Sequence, residues 1–337
     1  MSEVMEFGVC FQNLDAQGFV AAARRAQDLM FGTFWVPEDY FYRGAVSLAS
    51  AILTHTTSLK VGLGVLNPYT RHPALTAMEF AVLDEISRGR AILGLGTSIP
   101  MWIEQQMGVP FAAPISATRE SVELIRRMFR GERRNSPGQV FKTAGVRFAF
   151  KPMHTEIPIY LGVMGPKKLA LAGEIADGLL LGALTSPAYV RHAVKHLQQG
   201  AVRSGRQLEK FPVGAYLPIA LSSDGKNARE AVKPLIAGMI GLMSGFPNHA
   251  VFSCGGIARE TLERFTAAFA KGEFPVALVT EEMVDTFAVA GTPQECRVRL
   301  AEFVEAGVTM PVAFELPGVA PEKLMRDIRT HLIPHFV

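Results

Sequence analysis

Short runs of apolar residues alternate with longer segments of helical periodicity along almost the whole chain. The apolar runs are β-prone and lack polar alternation, which predicts parallel strands buried on both faces. The segments between them carry apolar residues every three or four positions, which predicts amphipathic helices. The predicted strands are 5–11, 33–36, 59–66, 91–95, 158–162, 179–182, 213–221 and 308–314, and the predicted helices include 16–30, 46–56, 74–86, 118–129, 188–202, 228–240 and 293–306.

Eight strands, each followed by a helix, are the count of a closed (β/α)8 TIM barrel. We therefore predict one α/β barrel domain over residues 1–337. A doubly wound open sheet is the alternative, but the βα rhythm never breaks and no GxGxxG pattern follows the first strand.

Two connections exceed the length of ordinary loops. Residues 131–154 follow the fourth strand and contain β-prone pieces at 139–142 and 146–150, which predicts a hairpin. Residues 241–290 form an insertion between the seventh and eighth strands, with a helix at about 259–270. Insertions at such places often shape a pocket or a lid.

Composition then narrows the class of function. The 337 residues include 34 basic and 31 acidic ones, a net charge of +3, which is too balanced for nucleic-acid binding. No window has the roughly 18 uncharged apolar residues of a membrane span. Cys10, Cys254 and Cys296 show no disulfide or metal spacing, which fits a reducing cytoplasm. His192 and His196 are spaced as metal ligands can be. They lie on a polar helix face without an acidic partner, so we interpret them as surface residues and predict no metal site.

The segment 162–168, Gly-Val-Met-Gly-Pro-Lys-Lys, joins a short buried strand to a helix, and we call it the glycine turn. Gly165 lets the backbone approach a ligand closely, and Pro166 fits a first helical turn, where its missing N–H costs nothing. The free N–H groups of that turn, the helix dipole, and Lys167 or Lys168 predict an anion site with phosphate as its ligand. A plain strand–turn–helix connection explains the same pattern.

The carboxyl ends of barrel strands carry the active site in proteins of this architecture. Glu38 and Asp39 follow the second strand. Two adjacent carboxylates at a barrel mouth can raise the pKa of one of them, which predicts a protonated acid near neutrality. A helix N-cap next to a solvated carboxylate is the alternative.

Five motifs occur in order along the chain: Lys60-Val-Gly-Leu-Gly-Val-Leu-Asn-Pro-Tyr-Thr-Arg-His-Pro73, Leu83-Asp-Glu-Ile-Ser-Arg-Gly-Arg90, Ala91-Ile-Leu-Gly-Leu-Gly96, Gly165-Pro-Lys with Ala172-Gly-Glu-Ile-Ala-Asp-Gly178, and Val289-Ala-Gly-Thr-Pro293. Together they resemble the bacterial luciferase-like flavin and deazaflavin oxidoreductases, most of all the branch that contains methylenetetrahydromethanopterin reductase. The resemblance spans nearly the whole chain. One departure is that the deazaflavin reductases typically show Asp-His where Glu38-Asp39 stands here.

The resemblance implies a barrel that binds FMN or coenzyme F420, usually as a dimer. Gly64 and Val65 fall where the family holds a strained bulge, often a non-proline cis peptide, behind the cofactor ring. A strand that merely contains two glycines is the alternative. Gly96 and Thr97 would stand beside the ring, although a strand end with an ST-turn explains them as well. The implied cofactor-binding residues are Gly64, Val65, Asn67, Gly96, Thr97, Gly162, Val163, Met164, Gly165, Pro166 and Lys167.

The glycine turn and the Asn-Pro-Tyr-Thr-Arg-His-Pro segment look more like the F420 branch. We therefore predict an oxidoreductase that transfers a hydride between coenzyme F420 and a small organic substrate, with Glu38 or Asp39 assisting proton transfer. An FMN-dependent luciferase-like monooxygenase is the alternative, and a non-catalytic flavin-binding barrel is a second one. We also predict a homodimer in the cytoplasm.

Overall fold

The structure, a computed structural model, describes residues 5–133 and 135–336. Its strands are β1 Gly8–Cys10, β2 Thr33–Val36, β3 Lys60–Leu66, β4 Ala91–Leu95, β5 Ser136–Pro137, β6 Lys142–Thr143, β7 Ile159–Gly162, β8 Gly178–Leu181, β9 Val213–Leu221, β10 Val289–Gly291 and β11 Met310–Phe314. Its α-helices are α1 Ala16–Asp28, α2 Ala45–His55, α3 Pro73–Ser87, α4 Pro114–Phe129, α5 Pro166–Ile175, α6 Pro187–Arg203, α7 Gly225–Met243, α8 Ala250–Cys254, α9 Arg259–Ala270, α10 Glu281–Phe287, α11 Pro293–Ala306 and α12 Pro321–His331. A π-helical turn covers Met101–Gln106, and 3-10 turns cover Val276–Leu278 and Ile333–His335.

Within these described residues, eight parallel strands close a barrel in the order β1, β2, β3, β4, β7, β8, β9 and β11, with β11 pairing back onto β1. Every residue of β2, β4, β8, β9 and β11 is buried. Side chains fill the barrel on one face of each strand and pack under the helices on the other, so the strands are continuously apolar. The predicted (β/α)8 barrel is confirmed.

The insertion after the seventh barrel strand is mostly helical. The predicted helix at 259–270 is present as α9, residue for residue, and α8 and α10 were not predicted. The segment returns through β10, which pairs with the distal end of β9, Ile219 to Leu221. Because β8 and β11 pair with the first part of β9, β10 lies outside the closed ring.

The hairpin after the fourth barrel strand has a different register from the predicted one. Its strands are β5 and β6, with Pro137 opposite Lys142, so 139–142 is largely the turn and 146–150 is not a strand. The Glu120 carboxylate accepts the N–H groups of residues 139, 140 and 141 at 2.8, 3.0 and 2.8 Å. These donors are therefore taken by a side chain of α4, a contact that periodicity does not predict.

Two glycines bring α5 and α6 into backbone contact. A Cβ on Gly173 would lie 1.9 Å from the carbonyl oxygen of Leu197, and one on Gly200 would lie 1.8 Å from that of Ala170. No side chain fits at either position without separating the helices. This packing fixes α5, whose first turn contains part of the glycine turn, against the C-terminal half of α6.

Two further findings concern residues 5–133 and 135–336 only. No helix there has the length and apolar content needed to cross a bilayer. No group of three or more histidine, cysteine, aspartate or glutamate side chains in this part of the chain is placed to hold a metal ion.

Candidate functional site

Asp39 lies at the carboxyl end of the barrel, where the loops after β1 and β11 hold it. Gln12 Nε2 donates to Asp39 Oδ2 at 2.5 Å. The backbone N–H groups of Gln12 and Asn13 donate to Glu315 Oε2 at 2.5 and 2.8 Å, which fixes the loop that carries Gln12. Burial raises the pKa of Asp39, and the hydrogen bond from Gln12 opposes this shift. The site thus contains a carboxyl group that keeps its proton to higher pH than an ordinary aspartate.

Glu38 has a different environment although it is adjacent to Asp39. Arg71 Nη1 donates to both carboxylate oxygens of Glu38 at 2.9 and 2.8 Å, and Arg71 Nε lies 3.0 Å from Glu79 Oε2. Neighbouring residues of an extended chain point to opposite sides, which separates the two carboxylates. The expected cause of the raised pKa, repulsion within a carboxylate pair, is therefore wrong, since burial is the main cause at Asp39.

The bulge predicted in β3 is present. The Gly64–Val65 peptide bond is cis, and pairing with β4 is irregular between Leu63 and Leu66. The hydroxyl of the buried Tyr216 donates to the Gly64 carbonyl at 3.3 Å. A second non-proline cis bond, Tyr40–Phe41, was not predicted.

The side chain of Val65 occupies the space that side chains at the neighbouring glycines would need. A Cβ on Gly96 would lie 2.6 Å from Val65 Cγ2, and one on Gly162 would lie 2.5 Å from Val65 Cγ1. A Cβ on Gly94 would lie 2.1 Å from the Leu63 carbonyl oxygen. Gly96 and Gly162 thus give Val65 its position at the mouth of the barrel.

The side chain of Asn67 forms hydrogen bonds to the backbone of the barrel loops. Its Nδ2 donates to the Thr97 carbonyl at 2.8 Å, and its Oδ1 accepts from Tyr69 N at 2.7 Å. The side chain is buried. Asn67 therefore ties the loop after β3 to the end of β4, and its amide is already engaged on both sides.

In the glycine turn, the structure favours Lys168 over Lys167 as the cation of an anion site. Gly165 is the N-cap of α5 with a φ of 86°, and Pro166 follows at the first helical position. Lys168 Nζ donates to Thr97 Oγ1 at 2.9 Å, and burial lowers the pKa of Lys168. Lys167 is exposed. Successive residues of a helix point about 100° apart, so its side chain does not share the direction of Lys168.

The remaining predicted residues of the turn lie beside this lysine. Val163 is buried, Met164 is half-buried and Pro166 is exposed. Ser98, next to Thr97, has a φ of 59° and a buried Oγ that has no hydrogen-bond partner among the described residues. A buried hydroxyl without a partner is uncommon. Together with Lys168 and the free N–H groups of α5, it fits a hydrogen-bonding anionic group such as a cofactor phosphate.

Gln12, Glu315 and Tyr216 complete the site beyond the predicted set, and Lys168 takes the place that the prediction shared between Lys167 and Lys168. Glu315 directly follows β11 and Gln12 lies two residues after β1, so the strand-end rule gives a signal for both. They are 303 positions apart in the sequence, and this separation hides their contact. Tyr216 is an interior residue of β9, for which the sequence gives no signal.

Comparison with known proteins agrees with this geometry. The sequence model of the luciferase-like monooxygenase family matches residues 5–310. A 5,10-methylenetetrahydromethanopterin reductase from Methanolobus tindarius is 35% identical over 333 residues, covering 98% of this chain and 100% of the relative. The solved coenzyme F420 dependent tetrahydromethanopterin reductase from Methanopyrus kandleri superposes with a TM-score of 0.90 at 31% identity, covering 99% of both chains. A type II Baeyer–Villiger monooxygenase of Pseudomonas putida, solved with FMN, shares the fold with a TM-score of 0.74 at 17% identity over 99% of both chains. The chain belongs to the luciferase-like monooxygenase family.

Proposed function

We propose that this protein is an F420-dependent oxidoreductase that transfers a hydride between the deazaflavin and a small organic substrate. The observation that carries the proposal is the full-length similarity to F420-dependent reductases in sequence and in structure. The site is consistent with it, since a half-buried carboxyl and a turn suited to an anion flank the same barrel mouth.

The bound cofactor would supply or accept the hydride. The chain's own residues do the rest. Lys168, Thr97 and the first turn of α5 would bind the cofactor phosphate, and Val65 would support one face of the ring. Asp39 would hold or release the proton of the reaction at its carboxyl group, and Gln12 fixes the orientation of that carboxyl. Arg71 keeps Glu38 engaged at the edge of the site, so Asp39 is the residue to which we assign proton transfer.

Titration of the apoprotein with F420 and with FMN tests the cofactor. We expect F420 to bind more tightly and to be reduced or oxidised without consumption of oxygen. Tight FMN together with oxygen consumption in the presence of a flavin reductase would instead favour the FMN-dependent monooxygenase. Binding of either cofactor without turnover across a panel of acceptors would favour the non-catalytic barrel.

Lys168 and Lys167 provide a test variant and a matched control for the proposed phosphate interaction. Lys168→Met is expected to weaken F420 binding by about 10- to 100-fold, the value of a charge-assisted hydrogen bond. Lys167→Met is expected to change it by less than about threefold, because an exposed ion pair contributes little. Fluorescence titration of the cofactor measures both. Equal losses in the two variants would contradict the placement of the phosphate beside Lys168.

We infer a homodimer from the outer face of α3. Leu75, Met78 and Val82 lie along one stripe and are 52, 49 and 48% exposed, and Ile86 extends the stripe. The opposite face of α3 is buried in the barrel. A helix that is apolar on all sides is normally buried on all sides, so a second copy of the chain is the partner that we propose.

Val82→Arg is expected to convert this dimer into a monomer, because the cation would be buried without a partner in the interface. Sedimentation velocity measures the change. Val202→Arg is the control, since Val202 is 77% exposed on α6 and its replacement leaves the dimer intact. A monomeric wild type, or a dimeric Val82→Arg variant, would contradict the proposal.

We also propose a cytoplasmic location. Cys10, Cys254 and Cys296 are all free thiols. Proteins exported to oxidising compartments commonly use cysteines in disulfides, so three free thiols favour a reducing compartment.

A further inference from the structure

The side chain of Tyr216 spans the interior of the barrel. Tyr216 belongs to β9, and its hydroxyl donates to the carbonyl of Gly64 on β3 at 3.3 Å. Along the closed ring of strands, β3 is the fourth strand from β9 in both directions, so the two lie on opposite sides of the barrel. Tyr216 is only 8% exposed. A polar group that crosses the apolar interior to reach a single carbonyl calls for a reason.

The contact at Gly64 leaves no room for a side chain there. A Cβ on Gly64 would lie 2.1 Å from the Tyr216 hydroxyl oxygen and 3.0 Å from both Leu180 Cδ2 and Trp35 Cε3. The hydroxyl therefore occupies the space that a side chain at position 64 would take. The Gly64 carbonyl and the N–H of Val65 belong to one planar peptide unit. A donor that fixes this carbonyl thus also fixes the backbone that carries Val65, the residue proposed to support the cofactor ring.

The ring of Tyr216 connects to the residues that hold Asp39. It meets the ring of Phe314 edge to face, with the centroids 5.5 Å apart. Phe314 is the last residue of β11, and Glu315 directly after it accepts the backbone N–H groups of the loop that carries Gln12. Gln12 in turn donates to Asp39. One side chain thus contacts the support of the ring on β3 and the strand end that braces the carboxyl.

The hydroxyl of Tyr216 remains a donor near neutral pH. Burial, the neighbouring Cys10 thiol and the Asp39 carboxylate raise the pKa of Tyr216 well above the ordinary value for tyrosine. Cys10 is itself 0% exposed. Tyr216 therefore offers a fixed hydrogen bond, rather than a second titrating group, below the mouth of the barrel.

We propose that Tyr216 is a positioning residue for hydride transfer, which holds the peptide unit before Val65 and the strand end beside Asp39 in one fixed arrangement. The proposal rests on the proposed function. Tyr216 acts through Val65 on the cofactor ring and through Phe314 on the brace of the carboxyl. Its loss should slow hydride transfer more than it weakens cofactor binding, because the rate depends steeply on the alignment of the reacting atoms.

Tyr216→Phe, which removes the donor and keeps the ring, tests the proposal. In single-turnover kinetics with F420, we expect the rate to fall by about 10- to 100-fold, while the Kd changes by less than about fivefold. The absorption maximum of bound F420 should shift, since the backbone behind its ring moves. Tyr160→Phe is the matched control, because Tyr160 is another buried tyrosine of a barrel strand but packs on Trp35 in the amino half of β7. It should match the wild type in rate, Kd and spectrum.

Several results would overturn the positioning role and leave the proposed function intact. They are a wild-type rate and spectrum in Tyr216→Phe, or equal losses in Tyr216→Phe and Tyr160→Phe. Loss of the pH dependence of the rate in Tyr216→Phe would assign the proton to the tyrosine instead. If Tyr216→Phe does not fold, Gly64→Ala perturbs the same contact from the other partner and should reduce the rate more than the affinity.

The wild type tests the proposed function separately. If it binds neither F420 nor FMN, the proposed function fails and the role of Tyr216 fails with it. If FMN binds and F420 does not, only the cofactor assignment is wrong. The comparison of Tyr216→Phe with Tyr160→Phe then uses FMN, with the same expected difference and the same contradicting results.

Discussion

Asp39→Asn is expected to lower kcat by about 10²- to 10⁴-fold, with little change in the Kd for the cofactor. Asp39 is the half-buried carboxyl of the barrel mouth whose pKa is raised by burial, and Gln12 holds it in place. Asparagine keeps the shape and the acceptor oxygen but cannot donate or accept the proton of the reaction. Single-turnover kinetics with F420 would measure the effect.

The pH dependence of this reaction has a defined sign. In the direction that needs a proton donor, Asp39 is active when protonated, so the rate is highest below its raised pKa and falls as pH rises through it. The residual rate of Asp39→Asn should lack this fall, which is the descending limb of the pH–rate profile. Glu38→Gln is the control, because Glu38 is engaged by Arg71 and its replacement should leave the limb in place. Loss of the limb in Glu38→Gln alone would assign the proton to Glu38 instead.

Asp39→Asn is expected to lower activity but to raise the stability of the folded protein. Because burial raises the folded-state pKa of Asp39 above its unfolded value, stability is greatest below the unfolded pKa of about 4 and declines as pH rises between the two values. Asp39→Asn removes this decline. We expect its Tm to exceed that of the wild type at neutral pH and the difference to disappear near pH 3. A lower Tm at neutral pH would show that Asp39 is ionised and stabilised by its partners.

Gly200→Ala is expected to destabilise the protein by more than about 2 kcal/mol, the upper range of overpacking effects. The added methyl would lie 1.8 Å from the Ala170 carbonyl oxygen and 2.6 Å from its carbon. Backbone atoms cannot rotate away as a flexible side chain does, so α5 and α6 must separate. The first turn of α5 forms part of the proposed anion site, and cofactor binding should weaken as well.

Denaturant unfolding of Gly200→Ala beside Gly245→Ala measures the effect. Gly245 has no positive φ, and a Cβ there would meet nothing within 4 Å, so alanine should be neutral within about 0.5 kcal/mol. A wild-type midpoint for Gly200→Ala would mean that the two helices adjust without cost. That result would contradict the inference that the close approach of α5 and α6 fixes the position of the site.

Most of the barrel was predictable because its signals are local and repeated. Strand β9 and helices α9 and α11 occur where the pattern of apolar residues predicts them. The hairpin after β4 was misplaced, because one carboxylate from α4 takes the N–H groups of its turn. Helix α8 was missed, since five residues are too short to show a helical period.

The sequence by itself determined the closed α/β barrel, the glycine turn at the start of α5 and, through the family resemblance, the cis peptide at Gly64–Val65. Only the tertiary structure decided which residue of two adjacent ones serves the site. It placed Glu38 against Arg71 and Asp39 against Gln12, and it turned Lys168 rather than Lys167 towards Thr97. Adjacent side chains differ in direction, and their surroundings come from distant segments, as when His249 approaches Lys168. A pattern along the chain specifies which residues are available at the mouth, whereas burial and charge at each of them depend on what the fold places opposite.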